Sequence, residues 1–423
     1  MQLEVIGVGG AGCRIVDAIR TADSDAGSFV LDAFAFDTDS DCLGELTAIP
    51  ETHRHRYGET IDAGLNGNLQ RGRTVGEEYV DELSRQLDAG QPSLADAFLV
   101  VVGLGGATGG GTVPALVSNL QTLYDGPVYV LATLPAEREL TPPGPDDDRV
   151  EIDDSQPAED ESAVSNEGDG TDGTGESGEH EQETTIADVT TRPLAEENAV
   201  RTLDRLEGVA DAVVCFDNER WLKTGEYLVD ARNRLNRELA TRVAAFFSAT
   251  ADASEEGAGT GAETIIDAND VGRIFGNETA ITTLGYGKQQ IERESGGSRF
   301  GLGLFSTEPT VETSAAISAI ETTIGKALRG KLTLECEREN AARAMLVVGG
   351  PPEWLNRRGI SDGRKTIESA TGSVEILGGD APRPNSDVVF AVVLLAGVEP
   401  VDRLEEIRAR VKPLDRGDGS SDE

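Results

Sequence analysis

The sequence predicts an α/β protein: a parallel, doubly wound sheet in the amino-terminal half, then a smaller α/β unit with mixed strand pairing. Three observations carry this. Short apolar runs alternate with helical periodicity along most of the 423 residues, as strand–helix–strand crossovers require. Two of those runs lead straight into glycine-rich turns, at 7–12 and 103–111. The alternation changes after a Ser-Gly-rich stretch at 252–263, which reads as a linker.

The elements follow in order. Residues 3–8 form an apolar strand, 12–21 a helix and 34–36 a short strand ending at Asp37. Residues 97–102 (AFLVVV) read as a strand buried on both faces, followed by a helix at 113–123 and a strand at 128–134. A helix at 196–206, a strand at 212–216 and a long helix at 227–248 complete the first unit. The second holds helices at 314–328 and 360–371 and strands at 345–348, 374–377 and 388–395. The expected organisation is a nucleotide-binding domain at 1–226, a connecting helix at 227–250, a second domain at 251–412 and a polar tail at 413–423.

Charge narrows the function classes. With 77 acidic and 37 basic residues the net charge is −40. Nucleic acid and anionic membrane both require clustered Lys and Arg, so neither is expected as a partner. Residues 141–190 carry −16 and almost no bulky apolar side chains. Such a segment cannot bury enough surface to offset its chain entropy, so it reads as a disordered acidic insertion. The rest of the chain still carries −24. Acidity this general suits a high-salt cytoplasm, where screening relieves self-repulsion. No apolar run reaches membrane-spanning length, and the chain opens on a strand, not on a basic signal region. The expected location is therefore cytoplasmic. Cys13, Cys42, Cys215 and Cys336 lack metal-binding spacing and read as reduced thiols. His53 and His55 have no nearby Cys or further His, so no metal ligand is assigned.

The glycine loops carry the chemistry. Gly7, Gly9 and Gly12 satisfy the spacing GxGxxG between a strand and a helix. Backbone there can approach a phosphate, and the helix N-terminus offers N–H groups and positive dipole. With Asp37 at the next strand end, a dinucleotide-dependent oxidoreductase is one reading. The second glycine-rich turn, Gly103-Leu104-Gly105-Gly106-Ala107-Thr108-Gly109-Gly110-Gly111-Thr112, argues otherwise. Two such loops suit a polyphosphate held from two sides.

Together these motifs resemble the tubulin/FtsZ superfamily. GGATGGGT is similar to its glycine signature, and GVGGAGC to its first phosphate loop. The later stretches GGPPEWLNRRGI, ESATGSVE, FDNERWLKTGE and LNRELATR look like the CetZ group of haloarchaeal tubulin-like proteins. The resemblance spans the chain apart from 141–190 and the tail. It implies that Gly9, Gly10, Ala11, Gly12, Cys13 and Arg14 form the first phosphate loop, with Asp39 in the second. It places Thr108, Gly109, Gly110 and Gly111 on the phosphates, Glu139 on the ribose, and Asn218 and Asn236 on the guanine. Both Asn side chains offer the donor and acceptor that the base edge needs. Asp267 and Asp270 would orient the hydrolytic water on the neighbouring subunit's nucleotide. On residues alone, two Asp at a helix entry equally serve as caps. What the resemblance implies is a GTP/GDP-binding GTPase, with Mg2+, that assembles head-to-tail with itself and controls cell shape. It also allows an association with other tubulin/FtsZ-like proteins. Three departures put hydrolysis in question, and the altered third loop with the acidic insertion supports the alternative of a non-hydrolysing, regulatory relative that binds GTP or no nucleotide and modulates other filaments. The third loop, 66–76, has lost glycines and gained Arg71 and Arg73. In the fourth loop, the GGATGGGT stretch, Gly110 replaces the usual Thr, and Ile265 stands where the seventh loop usually has Asn. Arg71 and Arg73 read either as a solvated basic turn or as counter-charge to the γ-phosphate.

Overall fold

The computed structural model describes residues 1–140 apart from 27, 60, 62 and 63, then 191–251, 266–276, 279–291 and 311–411. The acidic insertion, the linker at 252–263, Ile265 and the polar tail lie outside the described residues.

The amino-terminal elements are β1 (Leu3–Val8), α1 (Gly9–Ala26), β2 (Val30–Asp37), α2 (Ser40–Gly44), β3 (Arg54–Arg56) and α3 (Leu69–Gln86). Then come β4 (Ala97–Gly103), α4 (Ala107–Leu123), β5 (Val128–Leu134), α5 (Ala195–Leu206), β6 (Ala212–Asp217) and α6 (Asn218–Trp221). The long helix α7 (Leu228–Ala251) leads to α8 (Ala268–Phe275), β7 (Ala280–Gln290) and α9 (Thr313–Arg329). The chain continues through β8 (Arg343–Gly350), α10 (Arg357–Ala370), β9 (Glu375–Pro382), β10 (Val388–Ala396) and α11 (Asp402–Arg410).

The described strands join one sheet in the order β3-β2-β1-β4-β5-β6-β7-β10-β8-β9. Strands β3 through β6 pair in parallel, as the crossover helices dictate. Beyond them β10 runs antiparallel to both β7 and β8, giving the expected mixed pairing. The two units share this sheet through a short parallel pairing of β6 with β7, Ala212–Val214 against Ala280–Thr282. One apolar core lies on each face. Leu3 and Val5 point to the α1 and α7 side, and Ile6 and Val8 to the α3 and α4 side.

Several elements differ from the sequence expectation. Helices α1 and α4 begin inside their glycine loops, because those glycines are the first helical turn. The stretch 66–76, expected to be a loop, is largely the start of α3, capped by Asn68, whose Oδ1 accepts the Arg71 N–H at 2.9 Å. Strand β7 and helices α3 and α11 had no counterpart in the sequence reading.

Candidate nucleotide site

The carboxyl ends of β1, β4, β5 and β6 open onto one cleft of about 550 Å³. It sits where strand order turns outward on either side of the β1–β4 pair, the usual ligand position in such sheets. Its floor is two glycine loops in backbone contact. A β-carbon on Gly9, whose φ is +73°, would lie 2.8 Å from the Gly109 nitrogen. One on Gly109 would lie 2.6 Å from the Val8 carbonyl oxygen. Only glycine permits that approach, and it brings the N-termini of α1 and α4 side by side. The first N–H groups of a helix have no intrahelical partner, so both ends offer donors and positive dipole to one anion.

Gly9, Gly10, Ala11, Arg14, Asp39, Thr108, Gly109, Glu139 and Asn218 all line this cleft. Asn236 lines an adjoining cavity of about 170 Å³, whose wall it shares with Ala11, Arg14, Glu139 and Asn218. The Thr38 and Thr108 hydroxyls meet at 3.2 Å and link the second loop to the fourth. Burial pushes the Glu139 carboxyl above its ordinary range, while the Ala136 N–H, 2.9 Å away, and Arg192, 3.9 Å away, pull it back. Burial likewise raises Asp37, whose Oδ1 accepts the Thr38 N–H at 2.7 Å.

Other assigned residues stand elsewhere. Gly12 packs on β4, where a β-carbon would lie 2.2 Å from the Val101 carbonyl oxygen. The Cys13 thiol is buried and donates toward the Gly7 and Phe36 carbonyls at 3.5 Å. Gly110 packs on Thr202 and Gly111 on Gly72. None of these four is among the lining residues of either cavity. Asp267 and Asp270 lie at the start of α8, also apart from both cavities. There they cap the helix reciprocally: the Asp270 N–H donates to Asp267 at 2.8 Å and the Asp267 N–H to Asp270 at 3.4 Å. Arg71 and Arg73 are exposed on α3, and Arg73 pairs with Glu77 at 2.5 Å. Neither lines the cleft; Asn66 and Gly67 of the same stretch do.

The fold adds residues that the sequence reading did not single out. Arg138, Arg192 and Arg232 join Arg14 around the two cavities, a cationic cluster in a strongly acidic chain. Tyr227 stands at the mouth of α7 with the Arg138 guanidinium 5.6 Å from its ring centre. Asn198 donates to the Gly67 and Gly105 carbonyls, at 2.9 and 3.2 Å, and so ties the third loop to the fourth. An aromatic at a helix start was the one signal available for Tyr227; the others come together only on folding. For Mg2+, the described residues hold no cluster of three acidic, His or Cys ligands. Asp39 and the Thr108 hydroxyl do offer hard oxygen donors in the cleft. Such a sparse set suits a cation that takes most of its ligands from phosphates and water. His53 stacks on Phe34, with ring centres 4.2 Å apart, as a packing residue.

Two family models match. Residues 2–142 match the tubulin/FtsZ family GTPase domain, and residues 225–412 the C-terminal domain of tubulin-like CetZ. Tubulin-like protein CetZ5 of Haloferax volcanii is 32% identical over 414 residues, covering 97% of this chain and 91% of that protein. CetZ1 of the same organism is 31% identical over 418 residues, covering 96% and 91%. Among solved structures, the GDP-bound monomer of that CetZ1 superposes with a TM-score of 0.72 at 29% identity, covering 97% of this chain and 98% of that one. The GTPγS-bound protofilament of H. volcanii CetZ2 gives 0.71 at 26% identity, covering 97% of each.

Proposed function

The chain belongs to the CetZ family of tubulin/FtsZ-like proteins, and from that premise we propose that it binds GTP and GDP in the cleft described above. The observation that carries this is the backbone contact between Gly9 and Gly109. It sets two helix N-termini toward one anion, while Asn218 lines both this cleft and the adjoining cavity that holds Asn236. Gly9, Gly10, Ala11, Thr108 and Gly109 would cradle the phosphates, Arg14 and Arg192 would offset their charge, and Glu139 would take the ribose hydroxyls. Asp39 and Thr108 would hold a phosphate-bound Mg2+, which supplies charge neutralisation when present.

A relative solved as a GTPγS-bound protofilament supports a second step, in which copies of this chain stack head-to-tail; on this reading the filaments act in the cytoplasm to shape the cell. Asp267 and Asp270 would then meet the next subunit's γ-phosphate and orient the attacking water, making the filament a GTPase. The non-hydrolysing alternative draws on a specific observation. Within the subunit these two carboxylates are already engaged with each other's N–H groups as a helix cap.

Nucleotide released from purified protein and resolved by chromatography tests the first step. Guanine nucleotide is expected, and a pyridine or flavin nucleotide overturns it. Phosphate release followed against protein concentration tests the second. Specific activity rises with concentration if the site is completed between subunits, and stays at background in the alternative.

A further inference from the structure

Helix α11 belongs to the carboxyl-terminal part of the chain but docks on the nucleotide-binding half. Its Leu404 and Ile407 are buried against Ala199 and Leu203 of α5. Beside them Arg403, whose side chain is only 10% exposed, reaches under the cleft. It donates to the Pro135 carbonyl at 3.1 Å, meets Glu137 at 3.3 Å and lies 3.5 Å from Asp217. Burial raises the Asp217 carboxyl, and the Arg403 charge opposes that rise.

These partners hold the two cleft walls that carry Glu139 and Asn218, which on the nucleotide reading would face the sugar and the base. Pro135 leads into a turn in which the Ala136 N–H donates to the Glu139 side chain at 2.9 Å and the Glu139 N–H to the Ala136 carbonyl at 3.1 Å. Asp217 caps α6, the turn that begins with Asn218, by accepting the Glu219 N–H at 3.2 Å. Glu219 in turn accepts the Glu137 N–H at 2.8 Å. Arg403 therefore closes a ring: Pro135 and Glu137, Glu219, Asp217, and back to its own guanidinium. The Arg403–Asp217 pair, with side chains only 10% and 7% exposed, is screened little by salt and holds that arm of the ring at high ionic strength.

We propose that Arg403 is a positioning residue for the nucleotide's sugar, setting the Glu139 turn from the carboxyl-terminal helix. This rests on the nucleotide reading above. It predicts that docking of α11 and recognition of the ribose hydroxyls are coupled.

The test compares GTP with 2′,3′-dideoxy-GTP by calorimetry on the full chain at high salt. Wild type is expected to prefer GTP by about tenfold, the worth of one or two well-placed hydrogen bonds. Arg403→Gln should shrink that ratio to within about twofold while dideoxy-GTP affinity changes little, since the turn no longer presents Glu139. Arg408→Gln is the control. Arg408 sits on the same helix but, among the described residues, forms its ion pairs with Glu207 at 3.0 Å and Asp204 at 3.9 Å. Its loss should leave the ratio unchanged. Should Arg403→Gln fail to fold, Arg403→Lys replaces it; a single ammonium cannot serve both walls, so the ratio should still narrow. An unchanged ratio in the Arg403 variant, an equal narrowing in the Arg408 variant, or a wild type that binds both nucleotides alike overturns the inference and leaves nucleotide binding standing. A wild type that binds neither nucleotide overturns the nucleotide reading itself.

Discussion

Gly72 of α3 lies so close to Ala107, the first residue of α4, that a β-carbon on it would sit 2.0 Å from the Ala107 carbonyl oxygen. The contact continues down the helix pair. A β-carbon on Gly76 would fall 2.5 Å from the Thr112 Cα, and one on Gly111 would fall 2.3 Å from the Gly72 carbonyl carbon. Two helices thus meet on bare backbone, and α4, the crossover from β4 to β5, begins in one of the two glycine loops that floor the cleft.

Gly72→Ala should therefore push α3 off α4 and tilt the start of α4. Overpacking of this kind costs about 1–3 kcal/mol, and here backbone rather than a flexible side chain must yield. Denaturant unfolding should show the loss, and calorimetry should show weaker nucleotide binding. A variant with wild-type stability would mean that the helices slide apart freely.

The same glycines explain what was hard to read in the sequence. Strands β1, β4 and β5 emerge with their expected bounds, or within a residue of them, because fully buried apolar runs have no competing reading. Helix α3 does not, because Gly72 and Gly76 read as turn residues when they are contact residues. Strand β7 fails for the same reason. Its Gly285 and Gly287 face α9, where β-carbons would lie 2.1 Å from the Ala327 and Thr323 carbonyl oxygens. Both glycine loops were legible as strand-to-helix turns, and the structure brings them together on the floor of one cleft. The arginines around the cleft were not, because Arg138, Arg192 and Arg232 come from three loops and helices that only folding unites.

Asn218→Ala and Asn236→Ala should each weaken guanine nucleotide binding. Each removal leaves a polar edge of the base facing a partner-free wall, worth roughly 1–3 kcal/mol. The loss should be smaller for inosine nucleotides, which lack the exocyclic amine. Calorimetry with both nucleotides checks this, and unchanged GTP affinity in both variants removes these residues from the base site.

Glu4 stands in the middle of β1, fully buried, and among the described residues neither carboxylate oxygen has a hydrogen-bond partner. Burial, with Asp32 nearby, pushes it from an ordinary 4.5 to about 8. A carboxyl raised on folding favours the native state while it stays protonated. Its contribution is full below about 4.5 and is lost as pH climbs toward about 8. Glu4→Gln keeps the shape and removes the charge. Its melting temperature should match wild type near pH 5 and exceed it increasingly toward pH 8, by an amount equivalent to a few kcal/mol, about what burying an unpaired carboxylate costs. A constant difference across that range would show that Glu4 is already charged and solvated in the folded chain.

Asp270 distinguishes a helix cap from a group that acts on a neighbour. As a cap it holds the Asp267 N–H at 3.4 Å and accompanies Arg273 at 3.8 Å. Asp270→Asn keeps an acceptor at that position, so the helix should lose little stability. Asp270→Ala removes it, at about 0.5–1 kcal/mol for half of a capping box. Neither change touches the subunit's own cleft, so both variants should bind GTP like wild type. If the carboxylate orients water across a subunit contact, hydrolysis should fall by two to four orders of magnitude in both, about 3–5 kcal/mol of barrier. Filaments of either variant should then outlast wild-type filaments in GTP. Mixtures with wild type should hydrolyse less than dilution predicts, because each variant subunit silences one neighbour. Phosphate release and light scattering on the same samples check both. Should Asp270→Asn hydrolyse GTP normally while Asp270→Ala is merely less stable, the acid is a cap and nothing more.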